Sequence, residues 1–252
     1  REFIHNEKRW CFWLKDCDPK IIKNSLILIE RLKRIKEFRL SSTKEATKKW
    51  ANFPSLFTED RQPKSDYILI PRHSSENRIY IPFGFYTSNS IVSDSCTSVQ
   101  NASLFHFGVL TSLMHMVWVN YVCGRLESRY RYSNTIVYNN FPWPEKPTEK
   151  QKERVENAGV KVIEVREQFP GSSLADLYDP IAMPPELVKA HQELDKAVDL
   201  CYRPQPFTSD SQRMEYLFEL YDKYTSPLIA TNESRIKKMK RQNRKVPDVN
   251  PE

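Results

Sequence analysis

The stretch from Leu104 to Cys123 constrains this chain more than any other. It is apolar along most of its length, and His106, Thr111, Ser112, His115 and Asn120 are its interruptions. Those polar side chains argue against a membrane span, which needs ~20 consecutive, mainly apolar residues. In water, a helix that is apolar nearly all round has to be covered on most sides. The pattern therefore predicts one helix over Leu104–Val122 at the core of the first domain. Gly124 follows it at the position where a left-handed backbone is favoured.

The next residues, Arg125-Leu126-Glu127-Ser128-Arg129-Tyr130-Arg131-Tyr132-Ser133, alternate over a strand-length window. In extended chain this places Glu127, Arg129 and Arg131 on one face and Leu126, Ser128, Tyr130 and Tyr132 on the other. Residues two apart on a strand lie about 6.6 Å apart. Arginine can bond guanine O6 and N7 together, and glutamate can accept from the cytosine amino group. An isolated E-x-R-x-R is more often a solvated face with cross-strand ion pairs. Here it follows a buried helix, backs onto tyrosines and lies in the basic part of the chain.

Residues 1–145 carry 21 Lys and Arg against 14 Asp and Glu, whereas 146–229 carry 11 against 15. An anionic partner is therefore expected for the first part. A helix capped by Asn24 or Ser25 is expected to run to about Leu40, with Leu28, Leu32 and Ile35 on its apolar side. Arg31 and Arg34 on it, with Lys44 and Lys48 beyond, are candidate contacts to a phosphate backbone. The ordinary alternative is a solvated surface element.

Trp10-Cys11-Phe12-Trp13-Leu14 reads as a short buried strand, followed by a turn over Asp16–Pro19. Tyr67–Pro71 and Arg78–Pro82 read as a hairpin, Ile91-Val92 as the start of a short strand, and Ser93–Asn101 as a loop. Three prolines within 142–147 exclude a regular element there. Beyond them the signals are helical: Glu149–Phe169, a helix opening at Pro184-Pro185, and a third capped by Ser209-Asp210. The expected fold class is α+β: a mixed sheet-and-helix domain over 1–145, a helical part over 146–229, and a basic, unstructured tail over 230–252.

Five cysteines with no C-x-x-C pair argue against a disulfide framework or structural zinc, and for a reducing cytoplasm. Arg1-Glu2-Phe3 without an initiator Met leads us to expect a piece of a longer polypeptide. No Asn/Asp-Pro-Pro-Tyr/Phe motif, G-x-S-x-G, H-E-x-x-H or Walker sequence is present, and five glycines leave little room for a cofactor- or phosphate-cradling loop. No catalytic or metal site is expected within these residues.

Gly124 to Ser133, Tyr138-Asn139-Asn140-Phe141-Pro142-Trp143-Pro144, Ser173 to Leu187, and Phe218-Glu219-Leu220-Tyr221 with Thr225-Ser226-Pro227-Leu228 together resemble the MmeI-type (type IIL) restriction–modification family. The resemblance covers roughly residues 3–229. Members of that family join a nuclease, a helical spacer, an adenine methyltransferase, a target-recognition domain and a helical C-terminal part. This chain is similar to the last two.

The resemblance implies double-stranded DNA and the methyltransferase domain of the same polypeptide as partners, with no membrane. It implies S-adenosylmethionine and Mg only in the other domains. It also implies base-reading roles for Glu127 paired with Arg129, Ser95 paired with Arg131, and Arg72 paired with Asp94. Two further readings stay open. One is a binder of nucleic-acid backbone, RNA included, without sequence preference. The other is a structural module docked on the methyltransferase domain.

Overall fold

The computed structural model describes residues 1–243, with side chains through residue 227. Two compact units divide the chain: residues 1–2 with 6–62, and residues 3–5 with the chain from Pro63 onward.

The first unit is helical. It comprises α1 (Pro19–Asn24), α2 (Leu26–Leu40), α3 (Glu45–Lys49) and a 3-10 turn over Trp50–Asn52. The Asp18 carboxylate accepts from Lys20 N at 2.8 Å and Pro19 opens α1, a donor-satisfying cap followed by a residue already fixed at a helical φ. Ser25 caps α2, its Oγ accepting from Leu28 N at 3.4 Å. On the expected apolar stripe Leu28 is buried, and Leu32 and Ile35 are half-buried. Arg39 donates to the carbonyls of Trp50, Phe53 and Leu56 at 2.7–2.8 Å, so it clamps the unit together. The expected strand at Trp10–Leu14 does not form, and Trp10 is 88% exposed. A strand needs a neighbour to satisfy its backbone groups, and this unit has none among the described residues. Trp13 instead stacks on Phe57, with ring centroids 5.4 Å apart.

The second unit is α+β, as the sequence predicts. β1 (Tyr67–Pro71) lies between β3 (Gly84–Tyr86) and β4 (Cys96–Gln100), and β6 (Arg129–Arg131) lies between β2 (His73–Ser74) and β5 (Gly124–Leu126). All four pairings are antiparallel.

The partner of β1 is Gly84–Tyr86 rather than the expected Arg78–Pro82. Tyr80 and Ile81 turn into the core instead: the Tyr80 hydroxyl donates to Asp195 at 2.6 Å, and Ile81 N donates to Met116 Sδ at 3.3 Å. Ile91-Val92 forms no strand, while the expected loop Ser93–Asn101 contains β4, paired with β1 along its whole length. An edge strand has one free side and tolerates Thr97, Ser98 and Gln100, which is why its polarity reads as loop.

The long apolar segment is two helices, α4 (Leu104–Thr111) and α5 (Leu113–Val122). Ser112 is extended, with ψ 165°, and its hydroxyl bonds back to Val109 O at 2.7 Å, a local bond that competes with helix continuation. The N–H of Leu113, freed by the break, donates to Asp195 Oδ1 at 2.6 Å. Gly124 is not left-handed; it starts β5 directly opposite Arg131.

α6 (Glu149–Glu167), α7 (Leu174–Leu177), α8 (Pro185–Tyr202) and α9 (Asp210–Asn243) follow. Phe107, Leu110, Met114 and Trp118 share one core with Val155, Val162, Leu187, Leu194, Val198 and Leu217. The proline cluster thus separates mixed from helical structure without separating two cores. α4 passes close to α6 at Gly108, where a Cβ would stand 2.6 Å from Val155 Cγ1 and 3.0 Å from Val155 O.

α9 reaches Asn243, which corrects the expectation of an unstructured tail from residue 230. Arg235–Asn243 contains no Gly or Pro and is rich in Lys, Arg, Met and Gln, all good helix formers. Residues 244–252 lie outside the described residues.

Candidate nucleic-acid interface

A single residue joins the two sheets. Arg72 follows β1 and precedes β2. Its N–H extends the β1–β4 ladder by donating to Ser95 O at 3.1 Å, and its carbonyl extends the β2–β6 ladder by accepting from Tyr132 N at 2.8 Å. Ser95 and the residue after Arg131 are therefore both tied to Arg72. Neighbouring strands lie about 4.8 Å apart, so Ser95, Arg72 and the end of β6 span roughly 10 Å of surface. Asp94 and Ser95 form the turn before β4, braced by the Ser93 and Ser95 hydroxyls 2.6 Å apart and by Cys96 N on Ser93 O at 3.1 Å. Arg72, Asp94, Ser95 and Arg131 are all exposed.

Glu127, Arg129 and Arg131 do not share one face of one strand. The segment is a hairpin, with Leu126 paired to Arg129, and Glu127 and Ser128 form its two-residue turn. Glu127 has φ 56°, a left-handed backbone more usual for Gly or Asn. Glu-Ser carries none of the usual two-residue turn signatures, which is why alternation continues unbroken in the sequence. Arg129 and Arg131 do share the exposed face of β6, with Tyr130 buried between them.

The hairpin is anchored from behind. The Tyr130 hydroxyl bonds Asn120 Oδ1, and the Tyr132 hydroxyl meets His115 Nε2 at 3.0 Å, both partners on α5. Arg125 stacks over Tyr130 at 3.9 Å and donates to Ser128 O at 3.2 Å. Burial pushes His115 down to about 3 and Tyr132 well above its ordinary value. Both are neutral, and the support behind the arginines adds no charge.

Glu76 is a half-buried residue near the hairpin that the sequence did not single out: Ser128 and its own N–H, with the charges of Arg129 and Arg125, hold its carboxyl below the usual carboxylate range.

The four candidate phosphate contacts belong to the first unit. Arg31, Arg34 and Lys44 are exposed and Lys48 is half-buried. Arg34 is paired with Glu30 on the next turn, and Lys48 with Glu45 at 2.7 Å. Such exposed pairs are weak and readily exchanged.

Among the described residues no group of three His, Cys, Asp or Glu side chains is placed to hold a metal ion, and no helix is long and apolar enough to cross a membrane.

Arginines and acids thus form an exposed strip where the two sheets meet, held from behind by buried neutral groups. Residues 1–145 match the family described as "MmeI, target recognition domain", and residues 147–229 match "MmeI, C-terminal domain". The chain belongs to the MmeI family and carries these two domains.

A curated relative, DNA methyltransferase A of Bacillus subtilis (strain 168), is 39% identical over 224 residues, 89% of this chain and 25% of the relative. Among solved structures, the type IIL restriction–modification enzyme MmeI in complex with DNA is similar with a TM-score of 0.83 at 46% identity. The match covers 89% of this chain and 30% of that one. The chain thus spans between a quarter and a third of the length of these relatives.

Proposed function

We propose that this chain reads the base sequence of double-stranded DNA for a larger restriction–modification enzyme, one that methylates adenine at N6 from S-adenosylmethionine and also carries a nuclease. The chemistry belongs to other domains of that polypeptide, and the methyltransferase domain is the partner that receives the positioned DNA. The observation that carries the reading is the backbone linkage at Arg72, which holds exposed Arg72, Asp94, Ser95 and Arg131 together where the two sheets meet, with Arg129 and Glu127 further along the same hairpin. Strands and hairpins of this kind can enter a major groove, where long polar side chains meet base edges. Both solved and curated relatives bear DNA in their names.

Within that strip, Glu127 and Arg129 read one C·G pair, Arg131 with Ser95 a second position, and Arg72 with Asp94 a third. Arg31, Arg34, Lys44 and Lys48 add affinity through phosphates without choosing sequence.

The test is the double exchange Glu127→Lys with Arg129→Asp in the intact enzyme, read by mapping methylated sites. The register Leu126–Arg129 places the two side chains at the end of the hairpin, so donor and acceptor change places. The enzyme is expected to accept G·C in place of C·G at that position and to keep the rest of its site. Each single exchange is expected to lose most activity, since one bidentate contact carries about 1–3 kcal/mol of discrimination. An unchanged site, or one altered at several positions together, would mean that the two side chains do not act as a pair on one base pair.

A further inference from the structure

The pairings of β2 and of β5 with β6 set His73, Arg131 and Gly124 in one row across three strands, and Ser74, Tyr130 and Arg125 in the next. Paired residues on antiparallel strands share a face, and successive residues on a strand take opposite faces. The Tyr130 row is the inner one: Ser74 and Tyr130 are buried, and Arg125 lies over the Tyr130 ring at 3.9 Å. The outer face therefore carries His73, Arg131 and Gly124, with the paired Arg129 and Leu126 beyond them, and all five are exposed.

Two features of this face have no explanation in the fold. Gly124 does not have a positive φ, and a Cβ there would meet only Arg131 O, at 3.9 Å. A glycine weakens a strand, and where neither backbone nor crowding calls for one, a ligand that comes close to the main chain does. His73 has no side-chain hydrogen bond, ion pair or ring contact among the described residues. Its Cβ stands about 5 Å from that of Arg131, the spacing of directly opposed residues. Successive base pairs are about 3.4 Å apart, so two side chains at this spacing reach neighbouring pairs.

We propose that His73 is a further base-reading residue: a ring N–H donates to the N7 of a purine beside the pair that Arg131 reads, and Gly124 is where the DNA comes nearest to the main chain. The proposal rests on the reading of Arg131 given above and adds a determinant of specificity to it. On a given strand N7 marks a purine against a pyrimidine, so the contact selects between those two classes. Imidazole has one N–H when neutral and two when protonated, so the donor is present in either form.

The experiment measures adenine methylation by the intact enzyme on duplexes that carry its site, with a single 7-deazapurine placed in turn at each purine other than the methylated adenine. That substitution keeps base pairing and removes the N7 acceptor. The wild-type enzyme is compared with His73→Ala, Arg131→Ala and Gly124→Val. Wild type should lose about three- to tenfold at one purine beside the pair that responds to Arg131→Ala, the scale of a single hydrogen bond. His73→Ala should already have lost that factor on the natural duplex, be insensitive to the substitution there, and keep wild-type sensitivity elsewhere. Gly124→Val should melt no lower than wild type, since valine suits a strand, yet methylate every duplex at least about tenfold more slowly. No sensitive purine beside that pair, or full sensitivity retained in His73→Ala, would overturn the proposal. So would a uniform loss in His73→Ala with a shallower salt dependence, which marks a phosphate contact, or wild-type methylation by Gly124→Val. If Arg131→Ala changes discrimination at no position, the reading of Arg131 fails, and the proposal with it.

Discussion

The exposed strip proposed to read bases and the buried polar network of the same unit obey opposite rules. Arg72, Asp94, Ser95, Glu127, Arg129 and Arg131 are exposed and reach outward from a backbone that is itself well bonded. Asp195, Tyr80, His115, Tyr132, His191 and Tyr178 are buried and bonded to one another or to main chain. Changing a buried polar group leaves partners unsatisfied and costs stability, whereas changing an exposed one changes mainly what it can bind. A module built this way can alter its target without altering its fold. The comparison breaks if buried substitutions prove harmless or if exposed ones unfold the chain.

The largest effect is expected at Asp195. One carboxylate oxygen accepts from the Tyr80 hydroxyl and the other from Leu113 N, so it joins the segment after β2 to the start of α5. Asp195→Ala leaves both donors buried without an acceptor, at about 1–3 kcal/mol each. Burial pushes Asp195 up to about 6, so its ionised form already carries a desolvation cost that the variant relieves. The net loss should be about 2–4 kcal/mol, seen as a melting temperature lower by roughly 2–4 °C per kcal/mol. A loss below about 0.5 kcal/mol, the scale of ordinary surface changes, would show that the break at Ser112 needs no cap.

The next effect is one of pH. His115 is pushed down to about 3, and His191 well below its ordinary value, by burial. In the unfolded chain both titrate near 6.5. The unfolded state therefore binds more protons below pH 6.5, and their contribution is complete above that value and lost as pH falls towards the folded values. Each costs about 1.4 kcal/mol per pH unit in that window. Asp195 works against them between about pH 6 and pH 4, because there the folded state holds the extra proton. His115→Gln should flatten the acid limb of a stability–pH curve by about 1.4 kcal/mol per unit between pH 6 and pH 4. An unchanged slope would mean that the ring is protonated in the fold.

What could be read in the sequence divides along the same line. Helices announced themselves through caps and periodicity: Ser25, Pro185 and Ser209 stand at or beside the starts of α2, α8 and α9. The stripe Leu28, Leu32, Ile35 was legible because burial on one helix face leaves a 3.6-residue period. Strand partners were not legible, because pairing is a long-range choice: β1 chose Gly84–Tyr86 once Tyr80 and Ile81 had gone into the core. The hairpin at Glu127-Ser128 was hidden by a two-residue turn without Gly or Asn, which mimics continuous alternation. The linkage of Ser95 to Arg72 has no local trace, since it depends on register between segments over 20 residues apart.

The smallest effect on stability, and the sharpest test of the contrast, lies at Glu127. Its φ of 56° is one of three left-handed non-glycine positions among the described residues; the others are Asn6 and Asn101, a residue type that tolerates this region. Glutamate there is less favourable than glycine by about 1–2 kcal/mol of backbone energy, offset in part by the 0.4–1 kcal/mol that a glycine adds to unfolded-chain entropy. Glu127→Gly should therefore leave stability unchanged or raise it by up to about 1 kcal/mol. If Glu127 reads a base, the same variant should lose about 1–3 kcal/mol of discrimination at its pair, measured as methylation of site variants. A strained backbone kept for a side chain that the fold does not use is what a reading residue should look like. Loss of more than about 1 kcal/mol of stability in Glu127→Gly would place the glutamate among the groups that hold the hairpin, and the separation of reading strip from scaffold would fail at its outermost residue.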